Sequence, residues 1–153
     1  VLVRHLIDAD CRKFLLLFRE RITAGDHVML DAARDELSAA GFALADVTLR
    51  CLPTDAEAIA AEVRELLAAQ KERVGCLCRA EPLARGVAEA ARLLRLPAKR
   101  KPPIAVADVS RRADAVPEFA CVETVVSPEE YGAERGRVLV ETAAGRKPEP
   151  YRK

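Results

Sequence analysis

The stretch that decides the fold is Lys13 to Phe18, KFLLLF, in which a single lysine leads into an unbroken run of large apolar residues. A strand with one wet face alternates apolar and polar residues. A short run that is apolar throughout fits a strand covered on both faces, as in the parallel sheet of an α/β protein. Similar runs recur along the chain. Asp46 to Cys51 reads DVTLRC, Val74 to Cys78 reads VGCLC, Ile104 to Asp108 reads IAVAD, and Ala120 to Val126 reads ACVETVV.

Between these runs the apolar spacing becomes helical. A short helix is expected over Leu2 to Ala9. From His27 to Ala40, the residues Leu30, Ala33, Leu37 and Ala40 share a stripe, and Gly41 supplies a stop. Thr54 and Glu57 form a capping box before Ile59, Val63, Leu66 and Leu67. Pro82 suits a first helical turn, after which Leu83, Val87, Ala90, Ala91 and Leu94 line one face. Ser127, Pro128 and Glu130 introduce a last helix, Tyr131 to Thr142. Strand–helix alternation at this spacing predicts an α/β fold: an open parallel β-sheet with helices on both faces, Rossmann-like in its winding.

The chain has 153 residues, half of them hydrophobic and 32% charged, with net charge +1. That is about one domain, able to bury roughly two thirds of its unfolded surface. Aromatic residues are scarce and tryptophan is absent, which argues against a stacking platform for single-stranded nucleic acid. The densest basic run, Lys99-Arg100-Lys101, lies between prolines and reads as a solvated loop rather than a DNA contact. The five cysteines, Cys11, Cys51, Cys76, Cys78 and Cys121, are odd in number and mostly sit in apolar runs. Such usage suits a reducing, cytoplasmic setting better than a disulfide scaffold. No signal peptide and no membrane-spanning run is visible. Val1 in place of methionine raises the expectation of a further N-terminal part, and the polar, Pro-containing 146–153 reads as a linker or a truncated tail.

The sequence carries no recognisable catalytic signature. No G-x-G-x-x-G follows a strand, and the first strand leads into Arg19, Glu20, Arg21 and one glycine, Gly25. A phosphorelay receiver would need acidic residues where Phe18-Arg19 and Cys78-Arg79 stand. His5 and His27 have no ligand-spaced partners. Cys76 and Cys78 share one face of a strand, where packing is the simpler reading than a metal or redox pair. No catalytic residue, metal site or cofactor is therefore expected.

In open parallel sheets, ligands bind beyond the carboxyl ends of the strands. Those ends supply Arg19 and Arg21, Leu52 to Thr54, Arg79 to Glu81, and Asp108. A carboxylate among arginines could fix a polar or charged small molecule through charge-assisted hydrogen bonds. The plainer reading of Arg79 and Glu81 is a pair of solvated residues or an ion pair. For Asp108, closing an apolar strand, the plain reading is harder to sustain.

The order of segments resembles the effector-binding region of LacI-family transcription regulators, or of GntR/LacI hybrids. VRHLIDADCRKFLLLF (Val3 to Phe18) is similar to that family's helix, Gly-His-Arg-Arg and strand, with Asp10 and Cys11 replacing Gly-His. ARDELSAAG (Ala33 to Gly41) resembles the end of its next helix, and CLCRAEPLARGV (Cys76 to Val87) its strand and Asn-Asp-x-x-Ala-x-Gly turn. Ile104 to Asp108 matches the strand before its Gly-Tyr-Asp. FACVETVV (Phe119 to Val126) and PEEYGAERG (Pro128 to Gly136) match its Pro-Leu-Thr-Thr-Val strand and crossover helix. The resemblance implies a periplasmic-binding-protein-like fold. Residues 1–126 would form the C-terminal subdomain, 127–145 a helix crossing to a second subdomain, and 146–153 the tail. It further implies a sugar-like effector, a homodimer, and operator DNA bound through a helix-turn-helix or winged-helix domain outside this chain. The family's effector-contacting arginine falls on Met29, its turn Asn on Ala80 and the adjacent Asp on Glu81, while Asp108 keeps the expected contact type. With Arg79 and Arg19 these form the candidate effector-binding set. Two other classes share the outline: a periplasmic sugar-binding component of a transporter, and a small α/β enzyme.

Overall fold

The computed structural model describes residues 1–53, 55–107, 119–121 and 128–146, without the side chains of 128–131 and 134. The chain forms two compact units, Val1–Val122 and Glu123–Lys153.

In the first unit, α1 (Leu2–Asp8) leads into β1 (Lys13–Arg19), then α2 (Ala24–Ala39), β2 (Val47–Leu52), α3 (Ala56–Ala68), β3 (Val74–Cys78), α4 (Glu81–Leu93), β4 (Ile104–Val106) and β5 (Ala120–Cys121). The sheet order is β2-β1-β3-β4-β5, and every pairing is parallel. The expected α/β class and open parallel sheet are thus present. In the second unit, α5 spans Pro128–Ala143.

Burial explains why β1 and β3 read so clearly. Both lie inside the sheet, and each strand's side chains alternate between two apolar layers. Leu15, Leu17, Cys76, Cys78 and Val106 pack with α3 and α4 through Ile59, Val63, Leu83 and Val87. Phe14, Leu16, Phe18, Leu77 and Ala105 pack with α1 and α2 through Leu6, Leu30 and Leu37. Helices therefore cover both faces. The α3–α4 contact is close at Gly86, where an added Cβ would stand 2.2 Å from Ile59 Cγ2. Asp10 carries the turn into β1 at φ 59°, in the left-handed region that favours glycine.

Several boundaries differ from the sequence reading. Helix α2 begins at Ala24 rather than His27, because Thr23 and Asp26 form a capping box across Gly25. Helix α3 is capped by Asp55, whose carboxylate accepts from Ala58 N–H at 2.8 Å; Thr54 lies outside the described residues. Strand β2 starts at Val47, since Asp46 belongs to a short 3-10 turn and pairs with Lys13 at 2.8 Å. Among Lys99-Arg100-Lys101, Arg100 is not simply solvated. It is half-buried in another 3-10 turn and donates to the Gln70 carbonyl. The remainder of the runs expected to 108 and 126 lies outside the described residues.

Candidate functional site

The strand order creates a particular place. Helix α2, leaving β1, packs on one face of the sheet, while α4, leaving β3, packs on the other. Adjacent parallel strands whose following helices part to opposite faces leave a crevice beyond their carboxyl ends. Here that crevice lies between β1 and β3.

Arg79 stands at its centre. Cys78 faces the α3–α4 layer, so strand alternation turns the next side chain toward α2. The Arg79 N–H continues the ladder by donating to the Leu17 carbonyl at 2.9 Å. Its Nε–H donates to Oδ1 of Asp26 at the start of α2. Asp26 also accepts from the Thr23 N–H and the Thr23 hydroxyl, both at 2.8 Å. It is the buried charged residue among those described. Burial pushes its carboxyl up, but hydrogen bonds from Thr23 and the Arg79 guanidinium outweigh that and hold it below the ordinary 3.8.

The other expected residues are placed as follows. Arg19 is exposed at the end of β1. Ala80 is buried as the residue preceding α4, and its carbonyl accepts from the N–H groups of Leu83 and Ala84. Glu81 opens α4 and accepts from Arg85 one turn on, at 2.6 and 3.0 Å. Met29 is half-buried and lines a shallow groove of about 330 Å³ between α1 and α2, with Leu2, Ala33 and Leu77. The Ala107 N–H donates to the Cys78 carbonyl at 2.9 Å, which brings β4 alongside the end of β3. Asp108 lies outside the described residues. The sequence reading missed Asp26. The Thr23-x-x-Asp26 spacing marks it as a cap, but nothing local links it to a residue 53 positions later.

A second groove, of about 600 Å³, runs between α3 and α4, its lining including Ala56, Ala60, Gly86, Arg64, Arg85 and Arg92. Among the described residues no group of three or more metal-ligating side chains comes together. The thiols of Cys76 and Cys78 are fully buried, and burial pushes both well up. Their chemistry is that of core side chains.

The chain resembles several solved structures along nearly its whole length. A LacI-family transcriptional regulator from Mycobacterium smegmatis matches 95% of this chain and 54% of its own at 18% identity, with a TM-score of 0.72. One from Burkholderia phymatum matches 99% of this chain and 55% of its own at 24% identity, with a TM-score of 0.71. The chain has the fold of about half of such a regulator. A third LacI-family regulator, from Arthrobacter sp. FB24 in complex with lactose, covers 94% of this chain and 52% of its own at 18% identity and a TM-score of 0.67. The chain thus spans about half the length of each of these three regulators. No family model and no curated protein matches it. Among the described residues, no helix is long and apolar enough to cross a membrane.

Proposed function

We propose that this chain is the effector-sensing half-region of a bacterial transcription regulator, corresponding to the C-terminal subdomain of the LacI-type architecture. It acts by binding rather than catalysis. One observation carries this reading: a sheet of order β2-β1-β3-β4-β5 that follows LacI-family regulators over at least 94% of this chain in three solved structures. A small, polar molecule, sugar-like by analogy with the lactose held by the Arthrobacter regulator, binds at the ends of β1, β3 and β4. A second subdomain, reached through α5, closes over it. Arg79, Glu81, Ala80, Arg19 and Asp108 form this chain's side of the crevice, and Met29 replaces the contact that the resemblance implies on α2. The closed state alters how a dimer presents its DNA-binding domains to operator DNA. The setting is cytoplasmic, in keeping with free, buried Cys11, Cys76 and Cys78.

The first test is the coding sequence before Val1. A helix-turn-helix or winged-helix module supports the reading, and a secretory or lipoprotein signal removes it in favour of a transporter's binding component. The second is operator release by the full-length protein. The Asp108→Asn variant is expected to bind operator DNA but to lose its response to effector. An unchanged response would strike Asp108 from the site.

A further inference from the structure

We infer that the groove between α1 and α2 is a subsite for an uncharged apolar group, an aryl ring or a short alkyl chain, that the effector carries beside its polar part. As part of the effector site this rests on the sensor reading above; as a groove that takes an apolar group it is tested without it. Leu77, which lines the groove, packs in the layer of α1 and α2. Arg79, two residues on, turns its side chain to the same face of the sheet and meets Asp26 at the start of α2. Met29 lines the groove one helical turn beyond Asp26. Two residues along a strand cover about 7 Å, a distance that one small molecule spans. The groove is therefore a neighbour of the β1–β3 crevice on its α2 side.

The lining sets the ligand class. Leu2, Val3, Met29 and Leu77 supply hydrocarbon and a thioether, while Ala32 and Ala33, with one methyl each, leave the space between them. Glu36 brings the charged side chain of the lining, and it accepts from Arg4 across the two helices. A sugar hydroxyl set against such walls gives up its water without a replacement hydrogen bond, and an ionised group fares worse. An apolar group loses nothing there, and apolar cavities do take up small hydrocarbon ligands. The volume of about 330 Å³ is at the small end of ligand cavities, which suits part of a small molecule better than a protein segment. Met29 is half-buried, and the flexible, polarisable side chain of methionine adapts to irregular apolar partners and makes favourable contacts with aromatic rings.

Met29 is the single methionine of the chain, so ¹³C-methyl labelling of methionine places one reporter in the groove. Benzyl alcohol is expected to move that signal saturably, while glucose at the same concentration leaves it in place. Ala32 is exposed, so Ala32→Glu adds a carboxylate to the lining at little cost to the fold. It should weaken benzyl alcohol binding at least about tenfold. If that variant loses its dispersed spectrum, Ala32→Gln extends the same position without a charge and should weaken binding in the same direction. A shift that grows without saturating, one matched by glucose, one indifferent to the Ala32 variants, or no shift at all overturns the assignment. None of these outcomes touches the sensor reading, which operator release by the full-length protein decides on its own.

Discussion

Asp26 joins stability to the candidate site, because one carboxylate caps α2 and anchors Arg79. Its carboxyl is held below the ordinary 3.8, so between the folded and unfolded values the unfolded chain binds the extra proton. The stabilisation is complete above the unfolded value and is lost as pH falls through the lower, folded one. Asp46, lowered mainly by its hydrogen bond from Lys13, and Glu89, lowered mainly by Arg92, contribute in the same direction. The informative quantity is therefore a difference between proteins. In urea melts, wild type should lose more stability than Asp26→Asn as pH drops below about 4, and a parallel decline would contradict the pairing. At neutral pH, Asp26→Ala should cost about 1–2 kcal/mol through the lost cap alone. The thiols give a second check. Cys51 is exposed on β2, whereas burial pushes Cys11 up to about 11 and Cys76 and Cys78 further. A maleimide should label Cys51 rapidly in the folded protein and reach those three only on unfolding. Early modification of Cys76 or Cys78 would show that the centre of the sheet opens readily.

Helices α3 and α4 touch where Gly86 meets Ile59, and the contact is possible because there is no side chain at Gly86. A Cβ there would overlap Ile59 Cγ2 at 2.2 Å, so the helices must part or Ile59 must leave its rotamer. Gly86→Ala is expected to destabilise by about 1–3 kcal/mol despite alanine's better helix propensity. Ile59→Ala should absorb part of that cost, giving a coupling above about 0.5 kcal/mol in a double-mutant cycle measured by denaturation. Strict additivity would place the strain elsewhere. The same elements show how much could be read beforehand. Strands β1 and β3 were legible because burial on both faces writes itself into consecutive apolar residues. The start of α2 was not, because Gly25 reads as a loop marker, while the Thr23–Asp26 box that overrides it uses side chains also common in turns. At α3, Thr54 and Asp55 offer adjacent caps of similar strength, and sequence alone does not choose between them. The crevice was half legible. Strand alternation and winding place Arg79 in the crevice, but its partnership with Asp26 exists only once α2 is packed against the sheet.

The two compact units divide the molecule unequally in what they contribute to stability. Both apolar layers draw their described residues from the first unit, from Leu2 to Phe119. Helix α5 instead presents Leu139 and Val140 largely exposed, at 70% and 64%. The described residues that close the sheet thus lie in the first unit, and hydrophobic burial is the main favourable contribution to folding. A chain ending at Val122 should therefore keep a cooperative thermal transition, with a midpoint within a few degrees of the full chain's. That outcome would mark 123–153 as an element available for contacts with other parts of a larger protein, as the crossover reading of α5 requires. A broad, non-cooperative melt of the shortened chain, read by circular dichroism, would mean that the second unit is needed to complete the first. The proposed division between a self-standing sensing subdomain and a connecting helix would then fail, even with the parallel sheet intact in the full chain.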